Sequence, residues 1–311
     1  MRFFLTIASS LLLISSNAQQ KFIPRKAFTV TTENDAYLFQ IKDAYYTNGI
    51  KLNYRIADTS TRVKRIHAFE LGQKIFTPLS KKAETSHEID RPYCGYLYAD
   101  YRSISSYRND ALLQWGLTLG LVGKASLGEA LQNGYHSLLN FKKFEGWKYQ
   151  VPNALGIDLT ASYAQTLFNL GQVFKMVPVL SASLGTQFTN AKLGTVFCIG
   201  SYESNHSSLL FNTRMSSGYA APKKKMELFL YVHPSMQAQV YNASLQGGLF
   251  SNKNGAVLTN PETWVFEQEW GICYAQKRFN TRIAFIHQSK ETAGQLNSQS
   301  YGSIQMGVLM F

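Results

Sequence analysis

Beyond its first twenty residues this chain has no run of 18 apolar residues, so no later segment is long enough to cross a bilayer as a helix. Cysteine is scarce. Cys94, Cys198 and Cys273 are odd in number and far apart, so no disulfide framework follows and they read as packed thiols. Acidic residues are also few, 19 against 31 basic, which leaves a net charge of +12. No Pro-, Gly- or Ser-rich linker divides the chain and no internal repeat is visible. One large β domain or two smaller ones are therefore the options.

The opening MRFFLTIASSLLLISSNAQQ places Arg2 before the apolar stretch Phe3–Ile14, followed by Ser16-Asn17-Ala18. That order predicts a secretory signal peptide over residues 1–18, with Gln19 as the mature N-terminus and no nearby Cys to carry a lipid anchor. Without Arg2 the mature chain keeps 30 basic and 19 acidic residues, a charge of +11. A secreted basic chain argues against nucleic acid as partner, and a phosphorylated, anionic lipid surface is the more natural one.

Aromatic residues make up 14% of the chain, yet its mean hydropathy is −0.16. That combination suits alternating strands better than a doubly buried α/β sheet. Alternation recurs. Ile50, Leu52, Tyr54 and Ile56 oppose Lys51, Asn53 and Arg55, and Leu113, Trp115, Leu117, Leu119 and Leu121 oppose Gln114, Gly116, Thr118 and Gly120. A soluble sandwich would alternate too. These segments run about ten residues, the length of a tilted bilayer strand. Their polar face is small, as a barrel interior is. The chain also ends on an aromatic residue, Phe311.

Twelve strands are predicted, over 28–39, 46–57, 65–76, 92–104, 111–123, 154–167, 174–188, 192–202, 226–244, 263–276, 280–290 and 300–311. The expected fold is all-β, a transmembrane antiparallel up-and-down barrel over 19–311, with both termini periplasmic and a short helix in an extracellular loop. Residues 203–225 fit badly, being long on the side that should carry tight turns. Ser126-Leu127-Gly128-Glu129 reads as a capping box opening a helix to about Asn140. Such a helix either caps the barrel mouth or holds His136 over the rim.

Four blocks stand out: Glu33-Asn34-Asp35 … Tyr46-Thr47-Asn48-Gly49; Asp90-Arg91-Pro92-Tyr93-Cys94-Gly95-Tyr96; Gly128-Glu129 … Gln132 … His136; and Gly146-Trp147 … Gln150. In order and rough spacing they resemble the outer-membrane lipid A 3′-O-deacylase family, the LpxR type. The resemblance implies a twelve-stranded outer-membrane barrel whose calcium-dependent site lies between the rim and a loop helix. It implies hydrolysis of the ester that holds the 3′-acyloxyacyl chain on lipid A, the lipid anchor of lipopolysaccharide. Asn34, Asp35, Thr47 and His136 match the family's catalytic positions, with Asp35 as the implied Ca2+ ligand. Lys81 or Lys82 matches a basic substrate-binding position of the second long loop. The chain departs from some members at Lys142, where they carry an acidic residue. A monomer is expected.

The chemistry is consistent with those residue types. Ester hydrolysis needs an activated water and stabilisation of the oxyanion. Histidine, with an ordinary pKa of about 6.5, suits the base, and a hard cation held by oxygen ligands suits the oxyanion. If the first loop centres near Ile41, Asp35 and Thr47 face each other across the hairpin, on the lumen side of the rim. Asn34 and Asp35 adjoin, so a bulge or the loop start is needed for both to serve one site. The bland alternatives are turn chemistry for Asn34-Asp35, a loop ion pair for Asp90-Arg91 and an interface-belt role for Trp147. Two other functions remain open: a non-enzymatic pore or scaffold, and a phospholipase using the Ser–His run at His206-Ser207-Ser208.

Overall fold

The computed structural model describes residues 24–38, 45–60, 62–79, 85–138, 143–171 and 173–311. The strands are β1 (Lys26–Asn34), β2 (Tyr45–Ala57), β3 (Lys64–Thr77), β4 (Cys94–Ser106), β5 (Ala111–Val122) and β6 (Ala154–Gln165). After the short β7 (Phe168–Leu170) come β8 (Phe174–Gly185), β9 (Phe188–Ser201), β10 (Met226–Asn242), β11 (Trp264–Gln276), β12 (Phe279–Gln288) and β13 (Gln299–Met310). Neighbours in sequence pair antiparallel, β1 closes on β13 and β6 bypasses β7 to pair with β8. The result is a closed twelve-stranded barrel with one extra strand, and each of the twelve matches an expected one. The first strand is shorter than expected. It stops at Asn34, because the chain turns into a 3-10 segment, Asp35–Leu38.

Period-2 alternation sets the two faces of the wall. On β1, Thr29, Thr31 and Glu33 are buried inside, while Phe28 is exposed outside. The lumen carries ion pairs such as Lys51–Glu33 at 2.6 Å and Lys192–Glu267 at 2.5 Å. The outside is an apolar girdle that includes Leu71, Trp115, Leu193, Trp270 and Ile283, all exposed. Such a surface is costly in water and favourable in hydrocarbon.

Residues 203–225 explain their own misfit. They fold back into the barrel end where β1 begins and β13 finishes and form a plug with two 3-10 turns, Asn205–Ser207 and Leu209–Phe211. Cations from four strands donate to the plug. Lys64 Nζ reaches the carbonyls of Thr213 (2.8 Å) and Met215 (2.5 Å), and Arg55 reaches that of Asn212 (2.6 Å). Lys175 reaches Glu203 O (3.0 Å), and Arg282 reaches Leu210 O (3.3 Å). Leu209 and Met215 are buried against the inner wall. The strand count around 203–225 therefore stands, and the unusual feature is the loop.

The opposite end carries the longer loops and the helix α1 (Gly128–Leu138). The expected capping box is absent. Ser126 lies in a preceding 3-10 turn, where its hydroxyl donates to Gly123 O at 2.6 Å, and Leu127 takes a left-handed φ of 64° before α1 starts at Gly128. A side chain already used by its own turn cannot cap the helix.

Candidate active site

The hairpin register follows the expectation. Asn34 pairs with Asn48 and Glu33 with Gly49, so Asp35 and Thr47 come next at the open end. Of the two devices that could bring Asn34 and Asp35 to one site, the loop start is present. The strand ends between Asn34 and Asp35, and β2 carries a bulge at Thr47, between Tyr46 and Asn48 opposite Phe76 and Ile75. Asp35 and Thr47 are buried, at 2% and 3% exposure. Thr47 Oγ1 donates to Ile75 O (3.2 Å), and Asn34 Oδ1 accepts from Ala36 N (2.7 Å). Turn chemistry at Asn34 is thus real, and it fixes the start of the 3-10 segment that carries Asp35.

The second half of the site is built on β3 and β4. Gly95 points outward, in phase with Leu97 and Ala99, and α1 docks there against the outer wall rather than in the mouth. The close approach needs two glycines: a Cβ on Gly128 would lie 2.7 Å from Gly95 Cα. Gln73, outward on β3, donates to Ser126 O at 2.6 Å. Gly128, Gln132 and His136 are spaced four apart, so they share the stripe of α1 facing the wall; the first two are buried and His136 is half-buried. The next stripe, Leu127, Leu131, Tyr135 and Leu138, is apolar and exposed, Leu138 to 80%.

The remaining motif residues hold this helix. Trp147 Nε1 donates to Gln132 Oε1 (2.9 Å) and Gln150 Nε2 to Glu129 Oε2 (3.1 Å). Trp147 is 1% exposed, packed with Ile75, Ile89, Tyr93 and Phe144, so the belt role does not apply to it. The His136 ring lies 4.9 Å from that of Phe144, centroid to centroid.

Asp90 and Arg91 do not pair with each other as a loop ion pair. Arg91 is fully buried, bridges to Glu291 at 2.9 Å, donates to Ser244 Oγ at 3.1 Å and stacks on Phe76. Asp90 accepts from Tyr45 OH (2.7 Å) and Leu79 N (2.9 Å), while Tyr45 OH accepts from Asn297 N (3.1 Å). Three loops thus meet on Tyr45, whose own φ of 67° is held in the left-handed region by these ties. Sequence reasoning marked the Asp90–Gly95 block without finding Glu291 and Ser244, two hundred and 153 residues away from Arg91.

One ladder row ties the halves together. Asn34 pairs with Asn48, Asn48 with Ile75 and Ile75 with Gly95, so the hairpin end and the docking point of α1 lie level on adjacent strands. Lys81, Lys82 and Lys142 lie outside the described residues. Among the described residues no three His, Cys, Asp or Glu side chains gather as a metal centre. His206-Ser207-Ser208 lies in the plug, at the far end from this site. There His206 sits 3.5 Å from Asp110, Ser207 is 3.5 Å from Lys64 Nζ and Ser208 donates to Glu227, so a Ser–His couple is not assembled.

A closed antiparallel barrel with a polar interior, an apolar girdle and loop-built ends defines the chain as an outer-membrane β-barrel protein. It belongs to the family described as outer membrane protein LpxR, which matches residues 4–310. Among solved structures it is similar to LpxR from Salmonella typhimurium, at 17% identity and TM-score 0.77, over 91% of this chain and 100% of that one. The β domain of the Bordetella autotransporter BrkA also matches, at 9% identity and TM-score 0.48, covering 92% of this chain and 98% of the other. No curated protein matches the chain at a significant level.

Proposed function

We propose that this chain is a lipid A deacylase of the outer membrane, hydrolysing the ester of the 3′-acyloxyacyl chain with the help of Ca2+. The observation that supports it is the placement of α1 on the outer wall, level with Asn34, while a plug occupies the other end of the lumen. A site built on the outside of the barrel serves a substrate that lives in the membrane. A site for a solute would open on the lumen. The signal peptide over 1–18 and the mature barrel over 19–311 belong to the same reading, as does action as a monomer.

The donors around the hairpin end suit a hard cation. They comprise the buried Asp35 carboxylate, the Asn34 and Thr47 side-chain oxygens and nearby carbonyls, with neither thiolate nor imidazole on the hairpin end itself. Asp35 would hold Ca2+ with neutral oxygens and water. When bound, the cation supplies Lewis-acid stabilisation of the developing oxyanion. A ring nitrogen of His136 takes the proton of the attacking water and later passes it to the leaving sugar oxygen, which departs as a hydroxyl as the ester C–O bond breaks. Asn34 orients the first turn, Thr47 fixes the bulge against β3, and the lysines at 81 and 82 pair with lipid A phosphate.

Mass spectrometry of lipid A from cells expressing the protein tests this reading. Loss of the 3′-acyloxyacyl group is expected, abolished by His136→Ala, by Asp35→Ala and by chelation of Ca2+. Unchanged lipid A with a folded barrel sinks it, and release of phospholipid fatty acids instead would move the function to the phospholipase class.

A further inference from the structure

The outer wall carries an apolar groove of about 510 Å³ on the side of β1 away from α1. Trp270, Phe285 and Ile283 form its floor, and Tyr37 and Leu38 of the 3-10 segment overhang one end. The groove lies in register with the site. Trp270 pairs with Phe285, Phe285 with Gly302 and Gly302 with Asn34, so one ladder row runs from the groove to Asn34 and on to Gly95 beneath α1.

The closed end is held firmly. Tyr37 OH donates to Thr32 Oγ1 at 2.9 Å, and the Tyr37 Cβ sits flush on Gly302, where an added Cβ would come within 2.8 Å of it. Asn34 Oδ1 ties the same turn through Ala36 N at 2.7 Å. A groove of hydrocarbon and aromatic side chains, continuous with the apolar girdle and ending against a fixed aromatic, suits a flexible alkyl chain.

We infer that this groove is an acyl-chain subsite, which holds one fatty chain of the lipid substrate along the wall and sets its ester against Asn34 and Asp35. The inference rests on the deacylase reading for the identity of the lipid. The groove itself needs only a membrane lipid. Its end wall puts Tyr37 beside the ester, where the chain enters the groove. It also makes the substrate straddle β1, with the head region toward α1 and one tail toward β10.

The test uses the full-length protein in lipid nanodiscs containing either lipid A or phosphatidylethanolamine, each with a diazirine on an acyl chain, with adducts mapped by mass spectrometry. Lipid A adducts on Tyr37, Phe285 and Trp270 are expected to exceed those of phosphatidylethanolamine several-fold at equal mole fraction. Ile283→Trp, which fills the floor, should cut these adducts and raise KM for acyl release with kcat little changed. Tyr37→Ala, which removes the wall at the ester end, should lower the lipid A adducts on Phe285 and Trp270. Heat-modifiable gel mobility checks that both variants fold. Equal labelling by both lipids, labelling indifferent to Ile283→Trp, or a second copy of the chain cross-linked over the groove overturns the inference. If the wild type labels in the groove but releases no acyl chain, the reaction fails and the subsite stands. Release of the chain with adducts elsewhere has the opposite meaning.

Discussion

Gly95 of β4 and Gly128 of α1 meet backbone to backbone: a Cβ on Gly95 would lie 2.9 Å from Gly128 Cα, and the reciprocal distance is 2.7 Å. The pair lets the helix rest directly on the outer wall and sets the height at which the Gln132–His136 stripe runs. Neither glycine adopts a left-handed φ, so the requirement at both is space alone.

Gly128→Ala should therefore push α1 off the wall without breaking the barrel. Overpacking of this kind costs about 1–3 kcal/mol, local to the helix. A displacement on the order of 1 Å at a reacting group can cost about 10²-fold in rate. Acyl release should drop by that order while heat-modifiable mobility stays wild-type. A variant that keeps full activity removes the glycine contact from the site's construction.

Arg91 gives a second, independent handle on the rim. Its guanidinium is fully buried, and Glu291 is its charge partner, with Ser244 Oγ as a further acceptor. Glu291→Gln strands a buried cation and should destabilise the rim by about 3 kcal/mol. Replacing both residues by Met and Leu should recover most of that loss, because no buried charge is left. Thermal midpoints in detergent measure both variants, and a harmless Glu291→Gln contradicts the assignment.

The barrel itself was readable because outward-facing apolar residues at period 2 leave a strong trace, even where the partner medium is lipid. At α1 the apolar residues do not mark the face that docks. Leu127, Leu131, Tyr135 and Leu138 recur at helical spacing yet are exposed, and the wall is met by Gly128, Gln132 and His136. Periodicity reports an apolar face without saying what covers it. The plug was visible only as a misfit. Its anchors Arg55, Lys64, Lys175 and Arg282 sit on four strands, and no local pattern links them to 203–225. At the site, the motif blocks were legible as blocks. Their connecting contacts, Gln132 with Trp147 and Arg91 with Glu291, depend on long-range placement.

The plug should loosen in acid. Burial alone would raise the Asp110 carboxyl, but hydrogen bonds from His206 and Thr166 and the charge of Lys175 outweigh it and hold it below the usual aspartate value. Asp110 also accepts from Asn205 N at 2.7 Å, which ties the plug to the β4–β5 turn. A carboxyl lowered in the fold stabilises fully above its unfolded pKa of about 3.9. That contribution fades as pH falls below this value toward the lower folded one. Protection of 203–225 against hydrogen exchange, relative to the intrinsic rate at each pH, should fall as pH drops below about 4. Asp110→Asn should lower it already at pH 5, by about tenfold for a lost charge-assisted bond of roughly 1.5 kcal/mol. Protection indifferent to both changes contradicts the tie.

The plug also decides between a catalyst and a channel. With Lys64 Nζ bound to the Thr213 and Met215 carbonyls and Arg55 to that of Asn212, the lumen is filled at the end where β1 begins and β13 finishes. The polar chamber above it, about 330 Å³ and lined by Glu33, Lys51, Lys74 and Glu267, is then a dead end. Purified wild-type protein in planar bilayers should carry no steady current. Lys64→Met leaves two buried carbonyls without their donor, each costing about 1–3 kcal/mol, and combined with Arg55→Met it should release the plug and produce open events. Lipid A processing should survive in that double variant, because α1 and the β1–β2 rim lie at the other end of the barrel. A steady wild-type current would favour the pore reading over the deacylase.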